Sequence, residues 1–200
     1  MNELLFISFY TEGYYGEVIN KYLYPSLQKF SLPCKIYKKP SLHDWTKNGK
    51  QKYEVIYNQL ITDSRNIIFL DADAEIIQFP ELFCRLHGNY DIAIHYLDWY
   101  LFWKNIPNQS KRDLLGATIY INNNKKTQEL FKTLYEQTQK SSVWGQRLLS
   151  DLLKKENSEI NCFDLPIEYC QIIKKDGVIP ENTVIAQWAA SRTSKFHPDL

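Results

Sequence analysis

The chain has few features that assign an activity by themselves. Its 200 residues contain seven glycines, one methionine and four cysteines. None of the cysteines (Cys34, Cys84, Cys162, Cys170) falls into a C-x-x-C pair, and the one histidine close to any of them, His87 after Cys84, has no second cysteine or histidine pair to complete a metal-ligand spacing. That excludes a zinc module and favours four reduced, mostly buried thiols. No apolar run reaches the length of a membrane span, and Met1–Phe9 lacks the basic leader and cleavage site of a secretory signal. A cytoplasmic protein with no transmembrane segment is therefore expected. There is no surplus of charge of either sign: 24 Lys and Arg stand against 23 Asp and Glu. No global field recruits nucleic acid or an anionic membrane. Repeats, low-complexity tracts and Gly/Ser linkers are absent too, so one domain over residues 1–200 is expected. The loop after the first apolar run, Tyr10–Gly13, holds a single glycine, so the glycine-rich phosphate loop of a nucleotidyltransferase is missing.

What is present is a β-α-β-α-β opening. Leu4–Phe9 and Cys34–Tyr37 read as strands, and Gly16–Phe30 as a helix bent or restarted at Pro25. Residues 52–63 place Tyr53, Ile56, Tyr57 and Leu60 on one helical face. Asn66–Leu70 is a continuous apolar run, the pattern of a strand covered on both faces. Further strands are expected at Asp91–Tyr96, Ala117–Ile121, Ile160–Leu165 and Val184–Trp188, with helices at Lys126–Lys140 and Trp144–Lys155. This is an α/β fold whose sheet is parallel at least through its first half.

Asp71 and Asp73 follow Asn66–Leu70 directly. With eleven aspartates in the chain, such a pair arises by chance about as often as not. Position gives it meaning, because α/β sheets bind ligands outside the carboxyl ends of their strands. Two carboxylates one residue apart there suit one hard divalent cation, which would neutralise a diphosphate. The competing reading is a solvated turn.

From Ile67 to Ala74 the chain resembles the D-x-D segment of nucleotide-sugar glycosyltransferases of the GT-A fold. More narrowly it is similar to the short nucleotide-diphospho-sugar transferases of bacteria and phages. Phe6–Thr11 resembles the strand and loop that receive the base, Trp45–Asn48 with Lys52 the stretch before the acidic pair, and Leu115–Tyr120 the strand facing the sugar. Leu165–Cys170 and Ala190–Arg192 with Lys195 resemble the C-terminal motifs. The resemblance implies a single-domain GT-A fold, a mixed central sheet flanked by helices. It implies a metal-assisted transferase of a hexosyl or pentosyl group, using a nucleotide-diphosphate-sugar, with a UDP-sugar favoured. Asp71 and Asp73 would hold Mn²⁺ or Mg²⁺. Tyr10 and Thr11 would meet the base, and Lys52, Arg192 and Lys195 the diphosphate. Gly116, Thr118 and Gln146 would shape the sugar pocket. The acceptor class stays open among carbohydrate, protein and modified nucleic acid.

Two positions depart from the family. Gln187 stands where a metal-ligating histidine is usual, and Gly145 where an acid commonly precedes Gln146. An amide oxygen is a weaker ligand than imidazole for Mn²⁺ but acceptable to Mg²⁺. Gln187 is nonetheless the expected third metal ligand. Asp98, set among Trp99, Trp103 and other rings, and Glu168 are further candidates for contact with sugar or for a catalytic base, along with Gln146. Each is equally readable as packing or a surface pair. The basic stretch from Lys35 to Lys52 reads first as wetted surface. The rival functions are a catalytically degenerate nucleotide-sugar-binding module and a phosphatase of haloacid dehalogenase type. The latter is disfavoured by Glu75 and by the full βαβα lead that precedes the motif.

Overall fold

Asn66–Leu70 is buried at every residue, because it is threaded through the middle of the molecule. The computed structural model describes residues 3–98, 112–155, 159–174 and 176–190. Its strands are β1 (Leu4–Thr11), β2 (Cys34–Lys39), β3 (Asn66–Leu70), β4 (Ala74–Ile76), β5 (Ile92–Asp98), β6 (Arg112–Ile121), β7 (Cys162–Asp164), β8 (Gln171–Ile172) and β9 (Ile185–Gln187). Its α-helices are α1 (Tyr14–Lys21), α2 (Leu23–Lys29), α3 (Trp45–Thr62), α4 (Phe83–Leu86), α5 (Lys125–Lys140) and α6 (Gly145–Leu153). A six-stranded sheet in the order β2-β1-β3-β6-β5-β7 forms the centre, and β4-β9-β8 form a small second sheet. β1 runs parallel to β2 and β3, as the opening pattern predicts, and β6 is antiparallel to both its neighbours.

Alternation along the central strands divides the core in two. Leu5, Ile7, Ile67 and Phe69 face α3, α5 and α6, meeting Ile56, Leu60, Phe131, Leu134 and Leu149. Leu4, Phe6, Ile68 and Leu70 face the other way, onto Ile19, Leu23 and Leu27 of α1 and α2 and Phe83 of α4. Helices thus cover both faces, which is why β3 carries no polar alternation.

Several boundaries differ from the sequence expectation, each for a local reason. The first helical region breaks at Tyr22, upstream of Pro25. Proline obstructs the carbonyl four residues back, so the interruption falls before it and Pro25 sits harmlessly in the first turn of α2. Helix α3 begins at Trp45 and not at residue 52: the Asp44 side chain accepts from Lys47 N at 2.7 Å and caps the helix. Its polar first turns are held by Lys50 Nζ donating to Ser141 O and Gln51 Nε2 to Pro40 O. The expected strand Val184–Trp188 shortens to Ile185–Gln187 and joins the second sheet, not the central one. The cysteines are less buried than expected. Only Cys170 is buried, while Cys34 opens an edge strand and Cys84 faces outward from the single turn of α4. No described helix is long and apolar enough to cross a membrane.

Candidate functional site

Past Leu70 the chain makes one more ladder bond, Asp71 N to Ala117 O at 2.9 Å. It then turns sharply, with Ala74 N donating to Asp71 O at 3.0 Å. This turn carries the chain from the central sheet into the second, where Ala74 faces Gln187 and Ile76 faces Ile185. Asp71 and Asp73 are therefore presented where two sheets diverge, beyond the carboxyl end of β3. They border a cavity of about 170 Å³, whose walls include Tyr10, Thr11, Lys52, Tyr53 and Gln146.

Lys52 reaches the turn from two turns inside α3. Its Nζ lies 2.7 Å from Asp71 Oδ1, donates at 2.7 Å to Gly116 O, and rests 4.8 Å from the centre of the Phe69 ring. Gly116 N in turn donates to Gln146 Oε1 at 3.0 Å. A Cβ on Gly116 would stand 3.4 Å from that same oxygen, in van der Waals contact with it. One cation thus joins helix α3, strand β6 and the acidic turn.

Asp73 is fixed from the C-terminal side. Its Oδ2 accepts from Ala190 N at 2.7 Å, and its backbone carbonyl from Trp188 N at 3.0 Å. Trp188 stacks on Tyr22 with centroids 5.0 Å apart and donates through Nε1 to Glu75 Oε2 at 2.7 Å. Between them Ala189 adopts φ 52°, a left-handed conformation that the flanking bonds hold in place. Burial, and then the neighbouring Asp71 charge, push the Asp73 carboxyl up to about 6, against the opposing pull of the Ala190 amide.

Gln187 is 3% exposed. Its Nε2 donates to Thr118 Oγ1 at 3.0 Å, and its Oε1 is buried with no hydrogen-bond partner. Thr118 pairs in register with Leu70, so this amide lies directly behind the acidic turn. Cys170 packs on Thr118 as well, and burial pushes its thiol up to about 12. Among the described residues no group of three or more His, Cys, Asp or Glu is placed to hold a metal. Gln187 does not itself line the cavity, so a cation here would draw first on the two carboxylates, with this amide oxygen behind them as a further hard donor. The unpartnered oxygen fits that need, since a buried acceptor without a donor is costly.

The remaining expected residues are placed as follows. Tyr10, Thr11, Lys52, Asp71, Asp73 and Gln146 share the cavity. Gly116 and Thr118 lie behind its wall, held by Lys52, Gln146 and Gln187. Asp98, at the end of β5, and Glu168 do not line the cavity. The Glu168 carboxylate accepts from Asn182 Nδ2 at 2.8 Å. Trp99, Trp103, Arg192 and Lys195 lie outside the described residues.

Tyr53 was legible only as an apolar helix position, yet it lines the cavity. Burial, and then the Asp71 charge, push its phenol well above the usual range, so it stays a neutral hydroxyl. It also accounts for Gly145. A Cβ there would meet the Tyr53 ring, so the space that an acid would need is already filled. Trp45, Gly49 and Trp144 also line the cavity. No spacing in the sequence singled them out together, because Trp144 comes from a different helix.

The sequence profile described as nucleotide-diphospho-sugar transferase matches residues 35–196. No curated protein matches the chain. Among solved structures, a glycosyltransferase involved in glycosylation of the major capsid of PBCV-1 superposes with a TM-score of 0.66 at 10% identity, covering 98% of each chain. Mouse xyloside xylosyltransferase 1 in its apo form gives 0.56 at 10% identity, over 94% of this chain and 98% of that one. The galactosyltransferase LgtC, in complex with donor and acceptor sugar analogues, gives 0.53 at 10% identity, over 98% and 96%. The fold is that of the GT-A glycosyltransferases.

Proposed function

The chain belongs to the nucleotide-diphospho-sugar transferase family, and we propose that it moves a sugar from a nucleotide-diphosphate donor, a UDP-sugar foremost, to an acceptor hydroxyl with the help of a divalent cation. The observation that carries this reading is the buried, unpartnered Oε1 of Gln187 behind the turn that presents Asp71 and Asp73. Those three residues would hold Mn²⁺ or Mg²⁺. Bound there, such an ion supplies positive charge against a diphosphate leaving group.

The side chains divide the remaining work. Tyr10 and Thr11, at the carboxyl end of β1, receive the base and ribose. Lys52 is held between Asp71 and Gly116 O and meets the phosphates or the donor sugar as a fixed cation. Its ion pair orients the Asp71 carboxylate before any ligand arrives. Gly116, without a side chain, lets the donor sugar approach the backbone of β6, with Gln146 and Thr118 fixing that wall. Arg192 and Lys195, which follow Ala190 in sequence, complete the clamp on the diphosphate.

Thermal shift with uridine diphosphate, MnCl₂ and MgCl₂ tests the reading. Nucleotide and cation together should raise the melting temperature by more than the sum of each alone, because the cation turns repulsion between diphosphate and carboxylates into attraction. Equal stabilisation by UDP without a cation would remove the metal. No response to UDP, GDP, ADP or CDP with either cation would overturn the donor class. Release of free sugar from UDP-sugars in the presence of cation then separates an enzyme from a non-catalytic binding module.

A further inference from the structure

We propose that Trp45, Trp144 and the open notch over Gly49 form a subsite for a pyranose ring of the acceptor, so that the acceptor is a carbohydrate. The proposal rests on the transferase reading for the word acceptor, and on its own geometry for the sugar.

Helix α3 brings Trp45, Gly49, Lys52 and Tyr53 to one face at intervals of four, three and one residues. All four line the cavity that Asp71 and Asp73 border. Along the helix axis Trp45 lies about 10 Å from Lys52, seven residues on. Ring and cation therefore sit at different depths of one continuous cleft.

Trp144, the residue that precedes α6, leans on Trp45 with centroids 5.7 Å apart and planes inclined by 40°. The two rings are 45% and 42% exposed. Large aromatic side chains left open to this degree, paired, and set at a concave site mark a place where apolar surface is covered by something else. The pair is also braced. Lys50 Nζ donates to Ser141 O, tying α3 to the segment that carries Trp144. The residue after Trp144 packs directly on the Tyr53 ring. The platform is held in position before any ligand binds.

Gly49 supplies the second observation. It is interior to a helix, where glycine is unfavourable, and a Cβ there would meet no atom within 4 Å. Neither packing nor backbone conformation requires it. Its effect is to leave the wall low between the tryptophan pair and Lys52. The rings touch each other and are tilted, so they leave no slot for a flat base between them. Each residue is more than two-fifths exposed, and the negative π-surface of an indole suits the C–H bonds of a sugar ring.

The test is a titration of the full chain followed by ¹⁵N–¹H spectra of the indole N–H groups, with W45F and W144F assigning the resonances. The probes are methyl β-D-glucopyranoside, methyl β-D-galactopyranoside, lactose and cellobiose. At least one should move the Trp45 and Trp144 signals saturably while the Trp188 signal stays in place. G49L should weaken that binding at least tenfold. G49A, which adds a single methyl to open space, should weaken it less and melt no lower than the parent. No saturable movement with any probe overturns the subsite, as does a G49A and G49L series that binds as the parent does. UDP with MnCl₂, run in parallel, separates the two levels. If UDP binds and no sugar does, the subsite fails and the transferase reading stands. If a sugar binds and no nucleoside diphosphate does, the subsite stands and the transferase reading fails. If UDP alone moves both indoles, the rings belong to the base and the proposal is overturned.

Discussion

A Cβ placed on Gly145 would stand 2.9 Å from Cδ2 of Tyr53 and nearer still to Cε2. The buried tyrosine ring occupies from α3 the space that a side chain at the start of α6 would take. G145A should therefore destabilise the protein by about 1–3 kcal/mol through overpacking, although alanine is the better helix former. Adding Y53L should recover part of that loss. Urea unfolding of the three proteins checks this. An unchanged midpoint for G145A would show that the ring yields freely and that glycine is not required.

Asp63 and Arg65 bracket the turn into β3, with Arg65 Nε and its backbone N both donating to Asp63 Oδ1. The Arg65 guanidinium is the main reason that the Asp63 carboxyl is held down to about 2. A carboxyl depressed in the folded state stabilises the fold above its unfolded value near 4, and that contribution fades as pH falls through 2. D63N should lose about 1–2 kcal/mol at pH 7. The gap between parent and variant should stay constant down to about pH 5 and close towards pH 2. A gap independent of pH would assign the effect to the turn's neutral hydrogen bonds.

The central strands were legible because burial on both faces writes an unbroken apolar run, as in Asn66–Leu70. The second sheet was legible only in β9, which lies within the expected strand Val184–Trp188; β4 and β8 are three and two residues long, too short to show a period of two. The start of α3 was hidden for a different reason. Lys50 and Gln51 are buried through bonds to distant carbonyls, which no local hydropathy pattern encodes. Within the site, the acidic turn was legible from its position after β3. The Tyr53–Gly145 exclusion and the Trp45–Trp144 pair were not, since each joins α3 to α6 across the fold.

D71N and D73N should each lower kcat by at least about 100-fold, the scale of removing a preorganised electrostatic group. Both variants should fold. The asparagine at 73 still offers an oxygen to Ala190 N, and the one at 71 leaves Lys52 its bond to Gly116 O. Turnover of the best UDP-sugar, with circular dichroism as the control for folding, measures both. Cation-dependent turnover near the parent rate in either variant would release that carboxylate from its role.

Gln187 gives the sharpest test of the metal shell, because one atom carries the argument. Its Nε2 is engaged by Thr118 and its Oε1 has no protein partner, although the residue is almost fully buried. Q187M keeps the volume and removes the oxygen. If that oxygen serves only the fold, methionine should be neutral or stabilising, since it relieves an unpaired acceptor. If it ligates a cation, Q187M should weaken cation-dependent UDP binding at least tenfold, or by about 1.4 kcal/mol. Q187H should do the reverse for Mn²⁺, because imidazole binds that ion better than an amide does, and should open a preference for Mn²⁺ over Mg²⁺ that the parent lacks. Titrations of each cation at fixed UDP read both effects. Unchanged curves in both variants, with melting temperatures intact, would take Gln187 out of the metal shell and leave Asp71 and Asp73 as its only protein donors among the described residues.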